Sequence, residues 1–240
     1  MSAPLHVVLT GGIFHPFHAT SSHLGQVLAD RGIETRIFQD VEAGLACVRD
    51  AKPALLTVNA LRWRMAGDKY DPYRDAWRFE LSAEGQRTIE EHVRGGGGLL
   101  GLHTASICFD AWPGWGDVLG ADWIWGESYH PPLGRIEAAP TAEPHPITDG
   151  LGAFSVDDEV YTKLSLRDDV RGLLEASPGD GEGPQPLLWA RAFGDGRVVY
   201  DALGHDVDSL AEPTHARILV RSALWAMGRD DLLSHEIGEA

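Results

Sequence analysis

The stretch that decides the fold is 95-GGGGLLGLHTAS-106, in which four glycines lead into the apolar residues Leu99, Leu100 and Leu102. A short apolar run that ends in small residues before a helix is typical of a buried parallel strand followed by a tight turn. In open α/β sheets, ligands bind in the crevice beyond the carboxyl ends of such strands. His103 is the first residue after the strand, so we expect its side chain to lie in this crevice.

Strand and helix patterns alternate on both sides of this stretch. Apolar runs predict strands at 5–10, 33–38, 54–59, 135–139, 170–176, 187–193 and 197–203. Further patterns predict helices at 19–31, 41–51, 82–94 and 213–227. The alternation indicates an α/β fold with a mostly parallel sheet and right-handed crossovers. Because Gly194-Asp195-Gly196 between the last two strands is a strong hairpin signal, we expect an antiparallel hairpin near the C-terminus.

The domain organisation follows from length and composition. All 240 residues are predicted to form one domain, because no segment resembles a linker. Residues 61–81 are rich in aromatic and charged side chains without a clear period, which indicates a lid or binding loop. Residues 229–240 are acidic and are predicted to be a frayed tail.

Charge and cysteine content exclude several classes of partner. The formal net charge is −16 and the 20 Lys and Arg residues form no basic stripe, which argues against nucleic acid or an anionic membrane. No signal peptide is recognisable, and no apolar stretch approaches the roughly 20 residues of a membrane span.

The two cysteines, Cys47 and Cys108, have no paired spacing, so we expect a cytoplasmic protein with reduced thiols. Its aromatic segments also favour a homo-oligomer.

Histidines follow three of the predicted strands, at His15 and His18, at His103 and at His205. Each one alone is consistent with an ordinary hydrogen-bonded loop residue. Because the carboxyl ends of parallel strands meet at one edge of a sheet, we expect the three loops to come together there. Their shared placement therefore predicts a functional site.

Further residues complete the candidate site. We predict Glu159 as a carboxylate partner of the histidines, although Asp158 and Glu159 together also resemble a solvated acidic face. Asp206 could orient His205. Neutral imidazoles with a carboxylate are a common ligand set for zinc or another divalent ion such as manganese, so His103, His205 and Glu159 are also candidate metal ligands. A second set of polar and aromatic residues is predicted to line a sugar pocket, where aromatic faces pack on C–H groups: His18, Asn59, Trp125, His130 and Tyr161.

Three segments carry a family resemblance. They are 96-GGGLLGLH-103, 145-HPITDGL-151 with 158-DEVY-161 after it, and 189-WARAFGDGRVVYDALGHD-206. In this order they resemble the ThuA-like family, named for trehalose utilisation, and the likeness extends from Gly11 to the helix that contains Trp225. The resemblance implies a class I glutamine amidotransferase-like fold, a flavodoxin-like three-layer sandwich. In amidotransferases of that superfamily the residue after the central strand is a cysteine nucleophile. Here the position is His103 and Cys108 comes later, so we do not expect glutaminase activity.

The resemblance also implies a role in the catabolism of trehalose, another disaccharide or a 3-keto sugar made by a partner sugar dehydrogenase. A keto sugar has an acidified C–H bond next to its carbonyl, which a histidine could deprotonate while a second acid or a metal stabilises the enolate. We therefore predict a lyase, hydrolase or isomerase with His103 and His205 as its acid/base or ligand pair. Two alternatives stay open: a non-catalytic sugar-binding or regulatory protein, and a metal-dependent hydrolase of a small amide or ester.

Overall fold

The computed structural model describes residues 3–238, which form eleven strands and eight α-helices. The strands are β1 (Leu5–Gly11), β2 (Glu34–Phe38), β3 (Leu55–Ala60), β4 (Gly98–Leu102), β5 (Ala121–Asp122), β6 (Gly134–Pro140), β7 (Phe154–Asp158), β8 (Ser165–Leu166), β9 (Gly172–Ala176), β10 (Gln185–Phe193) and β11 (Gly196–Asp201). The helices are α1 (Phe17–Ala29), α2 (Val41–Ala51), α3 (Asp71–Trp77), α4 (Ala83–Arg94), α5 (Gly114–Leu119), α6 (Val207–Ala211), α7 (Pro213–Ala226) and α8 (Asp230–Gly238).

Nine of these strands form one mixed sheet in the order β2-β1-β3-β4-β11-β10-β9-β6-β7. The first five are mutually parallel, and β10, β9, β6 and β7 continue the sheet through antiparallel pairs. β4 lies inside the sheet between β3 and β11 and is buried along its whole length. The predicted parallel sheet and the hairpin of β10 and β11 are thus confirmed, while the antiparallel half is larger than the sequence indicated.

Helices cover both faces of the sheet, as two neighbouring residues of β1 show. The Oγ1 atom of Thr10 lies 2.7 Å from Ser21 Oγ of α1. The Leu9 side chain packs directly against Gly44 of α2. Successive side chains of a strand point to opposite faces, so α1 and α2 lie on different sides. α1, α6, α7 and α8 contact one another in series, and α2 contacts α4, which contacts α5.

The register of the parallel strands brings several loops to one edge. Gly11 pairs with Ala60, and Leu102 pairs with Asp201, so β1, β3, β4 and β11 end side by side. The loops that carry His15, His103 and His205 all start from these ends. The end of β7 also lies near these loops, although β7 is at the far edge of the sheet order. β6 pairs with β9 only through Ala139 and Pro140, while its earlier residues pair with β7, so β7 joins the sheet through this short contact alone.

Two segments differ from the sequence-based expectation. Residues 61–81 contain a 3-10 turn and α3, and Trp63 and Tyr70 are buried there in a small cluster of their own. The segment predicted as a frayed tail forms α8, because Leu233 is buried and Glu236 pairs with Arg31 at 2.9 Å. The tail's last two residues, 239 and 240, lie outside the described part of the chain. Among residues 3–238, no helix combines the length and the apolar character needed to cross a membrane.

Gly98 at the start of β4 makes one of the closest backbone approaches of the fold. A Cβ atom there would lie 2.5 Å from the Ala226 carbonyl oxygen at the end of α7 and 3.1 Å from that of Ala54. Both obstacles are backbone atoms, so they cannot rotate away as a side chain would. The glycine therefore lets α7 and the loop before β3 close on the end of the central strand.

We expect Gly98→Ala to lower the free energy of unfolding by about 1–3 kcal/mol, because overpacking forces the backbone to shift. Gly183→Ala is the matched control, since a Cβ at Gly183 meets nothing within 4 Å. Urea unfolding followed by circular dichroism measures both variants. Equal unfolding midpoints for the two would show that the close approach imposes no constraint.

Candidate metal centre

His103 occupies a strained position directly after β4. Its φ angle is +46°, a left-handed conformation that is uncommon for residues other than glycine. Two hydrogen bonds hold it there. The Tyr200 hydroxyl donates to the His103 carbonyl at 2.7 Å, and His103 Nδ1 donates to the Ala202 carbonyl at 2.7 Å. Because Nδ1 donates to this carbonyl, Nε2 is the nitrogen that faces the crevice.

Two more histidines converge on His103 from neighbouring loops. His15 lies between β1 and α1, and its ring centroid is 4.8 Å from that of His103. His205 follows β11, and its ring lies 4.7 Å from that of His15. Residues almost 200 positions apart thus meet, as the shared edge of the strands predicts.

Glu159 completes the cluster from the end of β7. Its Oε2 atom lies 3.4 Å from His103 Nε2 and 3.8 Å from His15 Nε2. Its Oε1 atom lies 3.6 Å from His205 Nδ1. One ligand atom from each of the four side chains fits within 4.8 Å of all the others. We call these four residues, His15, His103, Glu159 and His205, the histidine–glutamate cluster.

Three atoms of this cluster are buried without a hydrogen-bond partner among the described residues: His15 Nε2, Glu159 Oε2 and His205 Nδ1. Buried polar groups in folded proteins are nearly always paired, so orphaned atoms that face one another require an explanation. The separations of 3.4–3.8 Å exceed a good N–H···O hydrogen bond. Ligands at ~2.1 Å from a shared zinc ion lie about 3–4 Å apart, so the spacing suits a divalent ion.

The electrostatics of the cluster also suit a cation. Burial acts to raise the pKa of Glu159, but the imidazoles of His103 and His15 outweigh it and hold the pKa well below its ordinary value. Burial lowers the pKa of His15. For His103, burial acts downward, but Glu159 and Asp158 raise the pKa above its ordinary value. An ionised carboxylate beside imidazoles is the ligand set that metal binding needs once its protons are displaced.

A cavity of about 460 Å³ opens beside the cluster. Tyr161 lines it, and its hydroxyl lies 3.4 Å from His103 Nε2. Burial raises the pKa of Tyr161 well above its ordinary value, so the phenol stays protonated. His130 lines it as well, with Nδ1 3.4 Å from Glu159 Oε1 and 3.0 Å from the Pro131 carbonyl. Other aromatic side chains supply apolar wall: Phe14, Trp63, Tyr70, Trp123 and Trp125.

The structure brings most of the predicted site residues together. His103, His205 and Glu159 form the cluster with His15, and three more line the cavity: Trp125, His130 and Tyr161.

Three predicted residues lie elsewhere. His18 is exposed in the first turn of α1. Asn59 is buried and donates to Thr20 Oγ1 and Ser21 Oγ, both at 2.9 Å, so its amide joins β3 to α1. The Asp206 carboxylate accepts from the Ser209 amide at 3.0 Å and caps α6, a structural role.

His15 is the cluster member that the sequence-based candidate list left out. The segment 13-IFHPFH-18 offers two histidines, and α1 begins at Phe17. His18 therefore belongs to the helix, whereas His15 stays in the loop at the strand ends. Pro16 was the available signal, since proline is common where a helix begins and rare inside one.

Asp158 lies under the cluster and is fully buried. It accepts hydrogen bonds from the Glu159 amide at 2.8 Å and the Gly204 amide at 2.8 Å, and one from the Ser209 hydroxyl. These bonds join the end of β7 to the loop after β11. Asp158 thus positions both Glu159 and His205, and the interpretation of this acidic pair as a solvated face is wrong.

The fold and the site together define an α/β protein with a histidine–carboxylate cluster at the carboxyl edge of parallel strands. Residues 75–226, well over half of the chain, match the ThuA family, described as trehalose utilisation. The chain belongs to this family. No curated protein sequence gives a significant match.

Solved structures share the fold. A ThuA-like protein from Parabacteroides merdae is 19% identical with a TM-score of 0.71, over 94% of this chain and 90% of that one. A ThuA-like protein from Bacteroides uniformis is 18% identical with a TM-score of 0.67, over 95% and 93%. A cytoplasmic protein from Salmonella typhimurium is 15% identical with a TM-score of 0.58, over 96% and 98%. Similarity at this level shows a common architecture.

We expect Asp158→Asn to lower the free energy of unfolding by about 1–3 kcal/mol, because an amide cannot accept from all three donors and leaves a buried group unpaired. Asp157→Asn is the matched control, since the Asp157 carboxylate is next in sequence but exposed, and it lies 3.7 Å from Arg135. Urea unfolding midpoints test the difference. If both variants unfold at the same concentration, the buried carboxylate does not have this structural role.

Proposed function

We propose that this chain is a metal-dependent enzyme of carbohydrate catabolism that acts on a disaccharide or its 3-keto derivative. The observation that carries the proposal is the set of three buried, unpartnered atoms that face one another in the histidine–glutamate cluster. Membership of a family described as trehalose utilisation supports the carbohydrate substrate. A cytoplasmic sugar dehydrogenase would supply the keto group.

The four residues of the cluster would bind the ion. Three imidazoles and one carboxylate suit zinc or manganese, and the Nδ1 bond to the Ala202 carbonyl gives His103 the outer hydrogen bond that metal-binding histidines generally make. A bound divalent ion supplies Lewis-acid chemistry, which stabilises negative charge on a carbonyl oxygen. Of the four cluster residues, His15 lines the cavity, so a ligand in the cavity could reach the bound ion from that side.

His130 is the residue best placed to act as the base. Its Nδ1 lies near both Glu159 Oε1 and the Pro131 carbonyl, so Nδ1 carries the proton and Nε2 is basic. On a 3-keto disaccharide, Nε2 would take the proton from C2. The C–H electron pair forms an enolate with the carbonyl and then a C1–C2 double bond as the glycosidic C1–O bond breaks. The departing oxygen takes a proton from the Tyr161 hydroxyl, which stays protonated at neutral pH.

The finer fold assignment belongs to the same proposal. Helices on both faces of the sheet and the left-handed backbone at His103 support a flavodoxin-like, class I glutamine amidotransferase-like sandwich. Glutaminase chemistry has no support. Cys108 is buried, donates to the Ala60 carbonyl at 2.9 Å, and has its pKa raised by burial to about 12. A thiol that stays protonated is a poor nucleophile.

We expect the purified protein to hold about one zinc or manganese ion per chain. His15→Ala should lose most of it, because one ligand is gone and the remaining three are left around a gap. His18→Ala is the matched control, since it removes an exposed histidine from the same segment. Elemental analysis by mass spectrometry measures the metal. A His15→Ala protein with full occupancy, or a wild type that binds neither ion when both are supplied, would refute the metal site.

We expect His130→Ala to lower kcat on enzymatically prepared 3-keto disaccharides by about 10²–10⁴-fold, the usual loss when a general base is removed. Its metal content should equal that of wild type, because His130 lies outside the four ligands. The His18→Ala variant again serves as control and should retain kcat. Unchanged turnover in His130→Ala would remove this residue from the mechanism.

A further inference from the structure

A second, smaller cavity of about 220 Å³ lies next to the main one. We propose that it is the subsite that binds the second sugar ring of the disaccharide substrate proposed above. This inference rests on the metal-dependent sugar chemistry proposed above. Two carboxylates and four tryptophan rings belong to its lining: Asp110, Trp112, Trp115, Asp122, Trp123 and Trp125.

The two cavities are adjacent and share part of their lining. Ile107, Trp123 and Trp125 belong to the lining of both, so these side chains form the boundary between them. The Trp123 ring lies 5.4 Å from the Tyr161 ring and 6.3 Å from the Trp125 ring. Since Tyr161 touches the histidine–glutamate cluster, a two-ring ligand with one ring beside Tyr161 would extend its second ring past Trp123.

The chemistry of the second cavity suits a sugar. Aromatic rings present flat apolar faces to the C–H groups of a pyranose, and a few convergent polar groups fix its orientation. Trp112 is half-buried and its ring lies 6.2 Å from that of the buried Trp115, so Trp112 is the ring of this pair that can present a face to a ligand. The carboxylates of Asp110 and Asp122 can accept hydrogen bonds from hydroxyl groups.

Both carboxylates are held in place by arginines. Asp110 accepts from the Arg64 amide at 2.9 Å and the Arg64 guanidinium at 3.2 Å. Asp122 pairs with Arg167 at 2.7 Å. Each contact fixes its carboxylate in position and leaves acceptor positions on the oxygens unused. Prepositioned acceptors favour a polyhydroxylated ligand, because binding then loses little side-chain freedom.

The size difference assigns the two rings. The main cavity, about 460 Å³, adjoins the cluster and has room for the ring that reacts together with its linkage. The second cavity is about half as large, and its lining includes no cluster residue among the described residues, so we assign a single sugar ring to it. This cavity would therefore bind the sugar ring that departs when the glycosidic C1–O bond breaks.

Calorimetry on the metal-loaded protein tests the subsite with trehalose, maltose and sucrose as disaccharides and glucose as the monosaccharide. We expect at least one disaccharide to bind about tenfold tighter than glucose, as a buried aromatic contact commonly contributes. Trp112→Ala should remove most of this difference and leave glucose binding and metal content unchanged. Trp225→Ala is the matched control, because it also truncates a half-buried tryptophan packed on the core, next to His145 and Arg197.

Asp122→Asn provides a second variant that keeps the side-chain shape. It should weaken disaccharide binding severalfold, whereas Asp117→Asn, which removes the other carboxylate bound to Arg167, should not. Metal and glucose binding without any disaccharide preference, or a preference that survives both Trp112→Ala and Asp122→Asn, would overturn the subsite alone. A wild type that binds neither metal nor any of the sugars would overturn the proposed function, and the subsite with it.

Discussion

The hydrogen bond from His103 Nδ1 to the Ala202 carbonyl is the contact on which the rest of the site depends. It spans the ends of β4 and β11, and it decides which imidazole nitrogen faces the crevice. The Tyr200 hydroxyl supports it by binding the His103 carbonyl, so the neighbouring strand controls both the backbone and the ring. The left-handed φ of His103 costs about 1–3 kcal/mol, which the surrounding bonds have to offset. Strain of this kind persists where a side chain must point in one direction.

Asp158 and Glu159 are adjacent and both buried, but their hydrogen bonding differs. The difference indicates a structural role for Asp158 and a place in the site for Glu159. Asp158 accepts hydrogen bonds from backbone and hydroxyl donors and lies wholly inside the protein. Glu159 is almost as buried, yet one of its oxygens has no hydrogen-bond partner among the described residues. Because buried acceptors are costly to leave unpaired, the surroundings of Glu159 support the ligand site proposed above. The saturated carboxylate therefore holds the loops, and the unsaturated one faces the site.

Sequence patterns could place part of this arrangement. His103 and His205 follow apolar runs whose carboxyl ends share an edge, so periodicity and the parallel topology were enough to bring them together. Glu159 was harder to place, because the neighbouring Asp158 is held by Gly204 and Ser209, which lie some 50 positions away and leave no local signal in the sequence. The choice between His15 and His18 depended on where α1 begins, and helix boundaries are the least certain part of a sequence-based prediction. The short helices α3 and α6 and the edge strand β7 were missed for a similar reason, since few residues carry a recognisable period.

The histidine–glutamate cluster also bears on stability. An unpaired buried polar atom costs about 1–3 kcal/mol, and the cluster contains three such atoms. The free energy of unfolding of a typical domain is only about 5–15 kcal/mol, so this cost is a substantial fraction of the whole. A ligand that binds only the folded state offsets that cost and raises the free energy of unfolding further. The parallel strands, the strained turn at His103 and the buried Asp158 thus hold the cluster together at this cost, and the divalent ion proposed above would stabilise the fold by binding there.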